Sequence, residues 1–193
     1  VYVMGNPPYL GSRNQTDGHK EDGLIAMGKI PQYRKLDYIA NWFVKGAEYI
    51  KSYNASLAFV STNSICQGEQ IEILWKPILS AGIEISFAHK SFKWTNNAKS
   101  NAGVSVLIIG LSNISDRNKY IFSAASKIQC DYISPSLSTK KEIVVSKENA
   151  PISQILPPMR RGNMPNDHEY LRLSPIQKDE ILNLYPEANK FIR

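Results

Sequence analysis

The stretch Val1-Tyr2-Val3-Met4-Gly5-Asn6-Pro7-Pro8-Tyr9 governs the reading of the whole chain. Its first four side chains are apolar or β-favouring, so residues 1–4 read as a short buried strand that ends at Gly5. Two consecutive prolines then fix two φ angles and make Asn6-Pro7-Pro8-Tyr9 a stiff turn. A turn at the C-terminal end of a strand is where open α/β sheets bind their ligands.

The sequence beyond the turn predicts such a sheet. Residues 10–34 are rich in Gly, Asn, Asp, Lys and Gln without periodicity, and read as a long loop. Residues 36–51 space Leu36, Ile39, Ala40, Phe43, Val44, Ala47 and Ile50 at the intervals of an amphipathic helix. Residues 56–61 (SLAFVS) form an apolar run like those of fully buried parallel strands. A second helix is expected over 69–81, closed by Gly82, then strands over 83–89 and 104–111 (VSVLIIGL). This alternation predicts an α/β fold with a doubly wound sheet.

After Asn113 the character changes. Short strands are expected at 119–122, 129–133 and 142–145, and 150–165 is irregular, with Pro151, Pro157, Pro158 and Pro165. Ser174 caps a last helix with Pro175 at its first position, running to about Tyr185. A domain boundary is placed at 113–118.

Composition bounds the function. The 193 residues are 42% hydrophobic and 21% charged, proportions of a soluble globular chain of one domain with an appended piece. No apolar run approaches the roughly twenty residues of a membrane span, and no basic region precedes an apolar one as in a signal peptide. The chain does not begin with Met, as expected of a piece of something longer. Cys66 and Cys130 form no CxxC pair, and His19, His89 and His168 are scattered, so no metal site is expected. They read as reduced thiols of a cytosolic protein. A net charge of +6 favours a polyanionic partner, nucleic acid first.

The turn has a specific chemical use. The exocyclic amine of adenine is a poor nucleophile because its lone pair is delocalised into the ring. Two acceptors on its hydrogens draw the lone pair back, and the Asn6 side-chain oxygen and the Pro7 carbonyl would be those acceptors. Pro7 and Pro8 bring no competing N–H and hold the acceptors in place, which preorganises the site. Tyr9 can stack on a flipped-out base.

At this point the sequence resembles a known family. A strand running into Asn6-Pro7-Pro8-Tyr9 is similar to motif IV of the amino-methyltransferases, in the form typical of adenine-N6 enzymes. Leu36-Asp37-Tyr38-Ile39-Ala40, and Ala58-Phe59-Val60-Ser61-Thr62-Asn63-Ser64 followed by Gln67-Gly68-Glu69-Gln70, resemble the segments that come next. Phe87-Ala88-His89 leading to Ser91-Phe92-Lys93-Trp94-Thr95-Asn96 resembles motif VIII, where the family carries an aromatic that contacts the target base. The combination resembles the methyltransferase part of large single-chain type II restriction–modification enzymes over residues 1–115. Residues 150–193 resemble the entry to their target-recognition region.

The resemblance implies the C-terminal half of a Rossmann-like methyltransferase sheet plus a small appended mixed segment. Residues 1–115 would be catalytic-domain sequence, and 116–193 a linker and the start of target recognition. It implies site-specific methylation of adenine N6 in double-stranded DNA, with S-adenosylmethionine as cofactor, in a bacterial, cytoplasmic enzyme. Asn6, Pro7, Pro8 and Tyr9 would be catalytic, and Phe92, or failing it Trp94, would face the base from the other side. Ser61, Thr62 and Asn63 would shape the pocket wall, and Lys90, Lys93 and Lys99 would contact phosphates. Simple core packing for Phe92 and Trp94, and solvated charge for each Lys, are the competing readings.

One feature departs from the family. Its cofactor is held by a Gly-rich strand–helix turn that comes before the Asn-Pro-Pro-Tyr strand, and this sequence contains no GxG. The expectation is a fragment of a longer polypeptide, with nuclease and recognition regions elsewhere, which alone neither binds the cofactor tightly nor methylates DNA. Methylation of cytosine N4 and a non-catalytic DNA-binding module are the alternatives.

Overall fold

The computed structural model describes residues 1–94, 105–142, 144, 155 and 172–192. The chain divides into two compact units, Val1–Lys147 and Glu148–Arg193. The first unit is built on one six-stranded mixed sheet. In chain order its elements are β1 (Tyr2–Gly5), α1 (Asp17–Met27), α2 (Ala40–Tyr53), β2 (Ser56–Thr62), α3 (Lys76–Ser80), β3 (Ile83–Lys93), β4 (Ser105–Asn113), β5 (Lys119–Phe122) and β6 (Lys127–Cys130).

The strands lie in the order β1-β2-β4-β3-β5-β6. β1 runs parallel to β2 and β5 parallel to β3, whereas β4 is antiparallel to both β2 and β3, and β6 antiparallel to β5. The C-terminal ends of β1, β2, β3 and β5 therefore lie at one end of the sheet. The sheet continues past residues 113–118, where the composition changes, because β5 pairs with β3 from Phe87↔Tyr120 to His89↔Phe122.

One face of the sheet carries the core. Leu57 and Phe59 of β2, Leu107, Ile109 and Leu111 of β4, Ile83 and Ile85 of β3 and Ile121 of β5 are all buried. Phe43 of α2 meets Phe59 edge-on at 5.5 Å and Trp75 at 5.7 Å, which seats α2 and the segment before α3 on that face. The Trp75 indole N–H donates to the Ile65 carbonyl at 2.7 Å, so its polar end is satisfied in the interior.

Two strands depart from their expected burial. Within this chain β1 lies at the edge of the sheet, with Tyr2 and Met4 each 81% exposed, where a buried strand is expected over residues 1–4. Side chains alternate between faces, so Val3 packs on the core while its neighbours turn away from it. β2 alternates in the same way, with Leu57, Phe59 and Ser61 buried and the residues between them half-buried, so it is not a strand buried on both faces.

The expected loop over residues 10–34 contains α1 and short 3₁₀ turns at Ser12–Asn14 and Tyr33–Lys35. α1 buries only Gly23 and Met27, so it shows no apolar stripe for sequence to reveal. It is held by polar contacts instead. The Tyr38 hydroxyl donates to Asp22 at 2.7 Å, the Lys20 ammonium to the Arg34 carbonyl at 2.6 Å, and His19 stands edge-on to Tyr38 at 4.9 Å. At Gly23 an added Cβ would sit 3.1 Å from the Tyr33 ring, so glycine allows this close approach.

The remaining boundaries move modestly. α2 starts at Ala40 rather than Leu36, since Leu36 is extended and Asp37 opens the turn. The helix expected over 69–81 contains a π turn at Ile71–Trp75 before α3. Pro77 explains it: proline has no N–H to offer the carbonyl four residues back and its ring would collide with it, and a wider turn relieves both. β3 runs to Lys93, beyond the expected 89, and β6 covers Lys127–Cys130 instead of 129–133. The strand expected over 104–111 is Ser105–Asn113, with Val104 outside the described residues. Glu142 is not in a strand, and residues 143 and 145 lie outside the described residues.

In the second unit α4 (Pro175–Leu184) begins where the sequence places it. Ser174 caps it, accepting from the Gln177 N–H at 3.3 Å while its own N–H donates to the Gln177 side chain at 2.9 Å. No described helix is long and apolar enough to cross a membrane.

Candidate active site

Of the residues singled out by sequence, the Asn6–Tyr9 turn, Thr62, Asn63, Phe92 and Trp94 lie at the C-terminal ends of the co-directional strands. β1 ends at Gly5, and the turn follows at once, with Asn6 and Pro8 exposed, Pro7 buried and Tyr9 half-buried against the core. Burial of Pro7 anchors the turn and leaves the Asn6 amide free to face solvent. The end of β2 aligns with the end of β3 through β4, with Thr62 opposite Val106 and Val106 opposite Phe92. β2 and β4 stand between β1 and β3, so those two strands are about 14 Å apart across the sheet at the usual strand spacing, and Phe92, level with Thr62, lies three residues of β2 beyond the level of Gly5, which is paired with Phe59.

Phe92 lies within β3, half-buried, with its ring edge-on to His89 at 4.9 Å and tilted against Trp94 at 6.3 Å. Trp94, just past the strand, is 36% exposed. Both aromatics therefore belong to one cluster at the rim of the sheet, and neither is sealed in the core. Lys90 and Lys93 are exposed beside them, whereas Lys99 falls outside the described residues.

The expected wall residues divide. Ser61 is fully buried on the core face and its hydroxyl donates to the Thr62 carbonyl at 3.1 Å. Thr62 and Asn63 stand at the strand end: the Thr62 and Ser64 hydroxyls are 2.7 Å apart, and the Asn63 amide donates to the Ser91 hydroxyl at 3.1 Å. Asn63 thus ties the end of β2 to the residue next to Phe92.

Sequence reading missed Asp37 as a site residue. Its carboxylate is 4% exposed, and one oxygen accepts the Leu10 N–H at 2.9 Å and the Ile39 N–H at 3.3 Å. The other oxygen accepts from Ser64 at 3.2 Å and Thr62 at 3.5 Å. An acid just before an amphipathic helix is an N-cap signal, which accounts for the Ile39 bond alone. The bond to Leu10 spans 27 residues and leaves no local pattern.

Cys66 is buried, and burial pushes its thiol up to about 12, so it is an inert packing residue. Cys130 is also a free thiol, raised by burial in the same direction. Among the described residues no group of three His, Cys, Asp or Glu side chains could hold a metal ion.

Comparison with known proteins matches this architecture. Residues 1–123 fit the family model of the MmeI DNA-methyltransferase domain, and residues 139–193 fit that of the MmeI target recognition domain. The chain is 48% identical over 194 residues to DNA methyltransferase A of Bacillus subtilis (strain 168), a match covering 100% of this chain and 22% of that protein. It also resembles the solved structure of the type IIL restriction–modification enzyme MmeI in complex with DNA, with a TM-score of 0.85 and 38% identity over 98% of this chain and 26% of that one. The chain thus spans about a fifth to a quarter of the length of these relatives.

Proposed function

The chain belongs to the MmeI DNA-methyltransferase family, and from that premise we propose that it is part of a restriction–modification enzyme that methylates adenine N6 in double-stranded DNA. The observation that carries this reading is the exposed Asn6 amide beside the buried Pro7, at the same end of the sheet as Phe92 and Trp94. The Asn6 oxygen and the Pro7 carbonyl accept the two amine hydrogens of a flipped-out adenine, which restores nucleophilic character to its nitrogen. Tyr9 stacks on one face of the base, and Phe92, with Trp94 second, closes the other. Pro8 keeps the turn rigid.

S-adenosylmethionine would supply the methyl group as a sulfonium electrophile. The described residues do not make its seat: Tyr2 and Met4 stand open on β1, and no Gly-rich strand-to-helix turn occurs in the sequence. The rest of the same polypeptide would provide that seat. Transfer is direct, without a covalent enzyme intermediate, in keeping with an inert Cys66.

Lys90, Lys93 and Lys99 contact phosphates of the DNA in this reading. Residues 1–115, with β5 completing the same sheet beside β3, form the C-terminal part of the catalytic domain, and the residues after it lead into target recognition. The enzyme works in the bacterial cytoplasm. Nucleoside analysis of DNA treated with the whole polypeptide and S-adenosylmethionine tests the chemistry. N6-methyladenine is expected, N4-methylcytosine would transfer the site to cytosine, and DNA binding with no methylated base would make the chain part of a non-catalytic module.

A further inference from the structure

We propose that Asp37 is a positioning residue that sets the distance between the two walls of the base pocket, an inference that rests on reading the Asn6–Tyr9 turn as the amine acceptor. Leu10, the residue after Tyr9, is held on both sides of its peptide backbone. Its N–H donates to the Asp37 carboxylate at 2.9 Å, and its carbonyl accepts from the Tyr38 N–H at 3.0 Å and the Gln15 side-chain amide at 2.8 Å. The turn therefore cannot shift along β1 without breaking bonds to the 36–38 segment.

Asp37 in turn is bound to the end of β2. Its second oxygen accepts from Ser64 at 3.2 Å and Thr62 at 3.5 Å, and its own N–H donates to the Gln70 side chain at 3.1 Å. The residue between Thr62 and Ser64 is Asn63, whose amide reaches Ser91 at 3.1 Å, next to Phe92. Residues 62–64 are thus the common anchor of both walls: the Tyr9 wall through Asp37 and Leu10, the Phe92 wall through Ser91.

A carboxylate suits this position because one oxygen accepts the Leu10 and Ile39 N–H groups while the other accepts from the Thr62–Ser64 hydroxyl pair, whose members are hydrogen-bonded to each other at 2.7 Å. The residue is almost fully buried and has no cationic partner among the described residues, so the two N–H groups and the hydroxyl pair offset its desolvation. A helix cap would need only the Ile39 bond. The bonds from Leu10 and from the hydroxyl pair serve the turn and the β2 end.

The test uses the whole polypeptide with single-turnover methylation and the KM for DNA, each normalised to folded protein, for Asp37→Ala, Asp37→Asn and Asn6→Ala. Misplacing a reacting group by an ångström costs on the order of 100-fold. Asp37→Ala should lower the methylation rate about 10- to 100-fold with the KM for DNA within about twofold. Asp37→Asn should recover most of the loss, since its oxygen can serve the two N–H groups and its amide can donate to the two hydroxyls. An Asp37→Ala rate within about twofold of the parent, or no recovery in Asp37→Asn, overturns the positioning role. An Asn6→Ala enzyme that no longer methylates in the same experiment leaves the catalytic reading standing, and one that methylates at the parent rate removes it. Where Asp37→Ala does not fold, Thr62→Val/Ser64→Ala carries the test: it cuts the tie to β2 and keeps the Leu10 bond, and an unchanged rate overturns the proposal.

Discussion

The Phe87 ring occupies the space that a side chain at Gly110 would fill: a methyl group built there would overlap its Cδ1, Cε1 and Cζ atoms. The two residues are directly paired across β3 and β4, beside the register shift between Ile85 and Phe87. Glycine is needed here for contact rather than for conformation. Gly110→Ala should push the ring off β4 and away from Phe122, 6.5 Å distant edge-on. Overpacking of this kind costs about 1–3 kcal/mol, which a thermal melt reads as a drop of a few degrees in Tm. An unchanged or higher Tm would contradict the packing argument.

The Lys119 ammonium lies 3.1 Å from the Glu84 carboxylate, with side chains 7% and 15% exposed. Glu84 also accepts the Ser115 N–H at 3.1 Å and hydroxyl at 3.2 Å, so the pair closes the β4–β5 connection onto β3. Lys119→Met leaves a partly buried carboxylate without its cation, with only the two Ser115 donors on it, and should cost about 1–3 kcal/mol in denaturant unfolding. Adding Glu84→Gln removes the stranded charge and keeps an acceptor for Ser115, so the double variant should be the more stable of the two. A double variant no better than the single would show that charge burial is not what the lysine relieves.

Cys66 gives a pH signature. Its thiol is raised to about 12 by burial, above the ordinary thiol value of the unfolded chain. The buried neutral thiol therefore contributes stability that is complete below the unfolded value near 9 and is lost as pH rises toward about 12. Alkylation of native protein at pH 8 should label Cys130 before Cys66, and Cys66→Ala should retain methylation by the whole polypeptide. Rapid labelling of Cys66 under native conditions would disprove its burial.

Long-period patterns in the sequence were readable, and contacts between distant segments were not. α2, β4 and the Ser174 cap follow from side-chain spacing and local hydrogen bonding, which a single segment carries by itself. α1 escaped because its stability comes from Tyr38, Arg34 and Tyr33 rather than from an apolar stripe of its own. The apolar residues of β1 read as a buried strand, and within this chain, where β1 is at the sheet edge, Val3 alone of them packs on the core. Asn6 and Phe92 were legible as residue types in a recognisable order. Asp37 was not, because its partners Leu10 and Ser64 are 27 residues away on either side.

The central claim is that Asn6 acts on the target amine and does not hold DNA. The most direct measurement is single-turnover methylation and DNA affinity of the whole polypeptide carrying Asn6→Ala, side by side with the parent. Loss of an acceptor that acts only in the transition state should lower the rate by at least about 100-fold while DNA affinity stays within about threefold. Methylation at the parent rate, or a loss explained entirely by weaker DNA binding, would contradict the account.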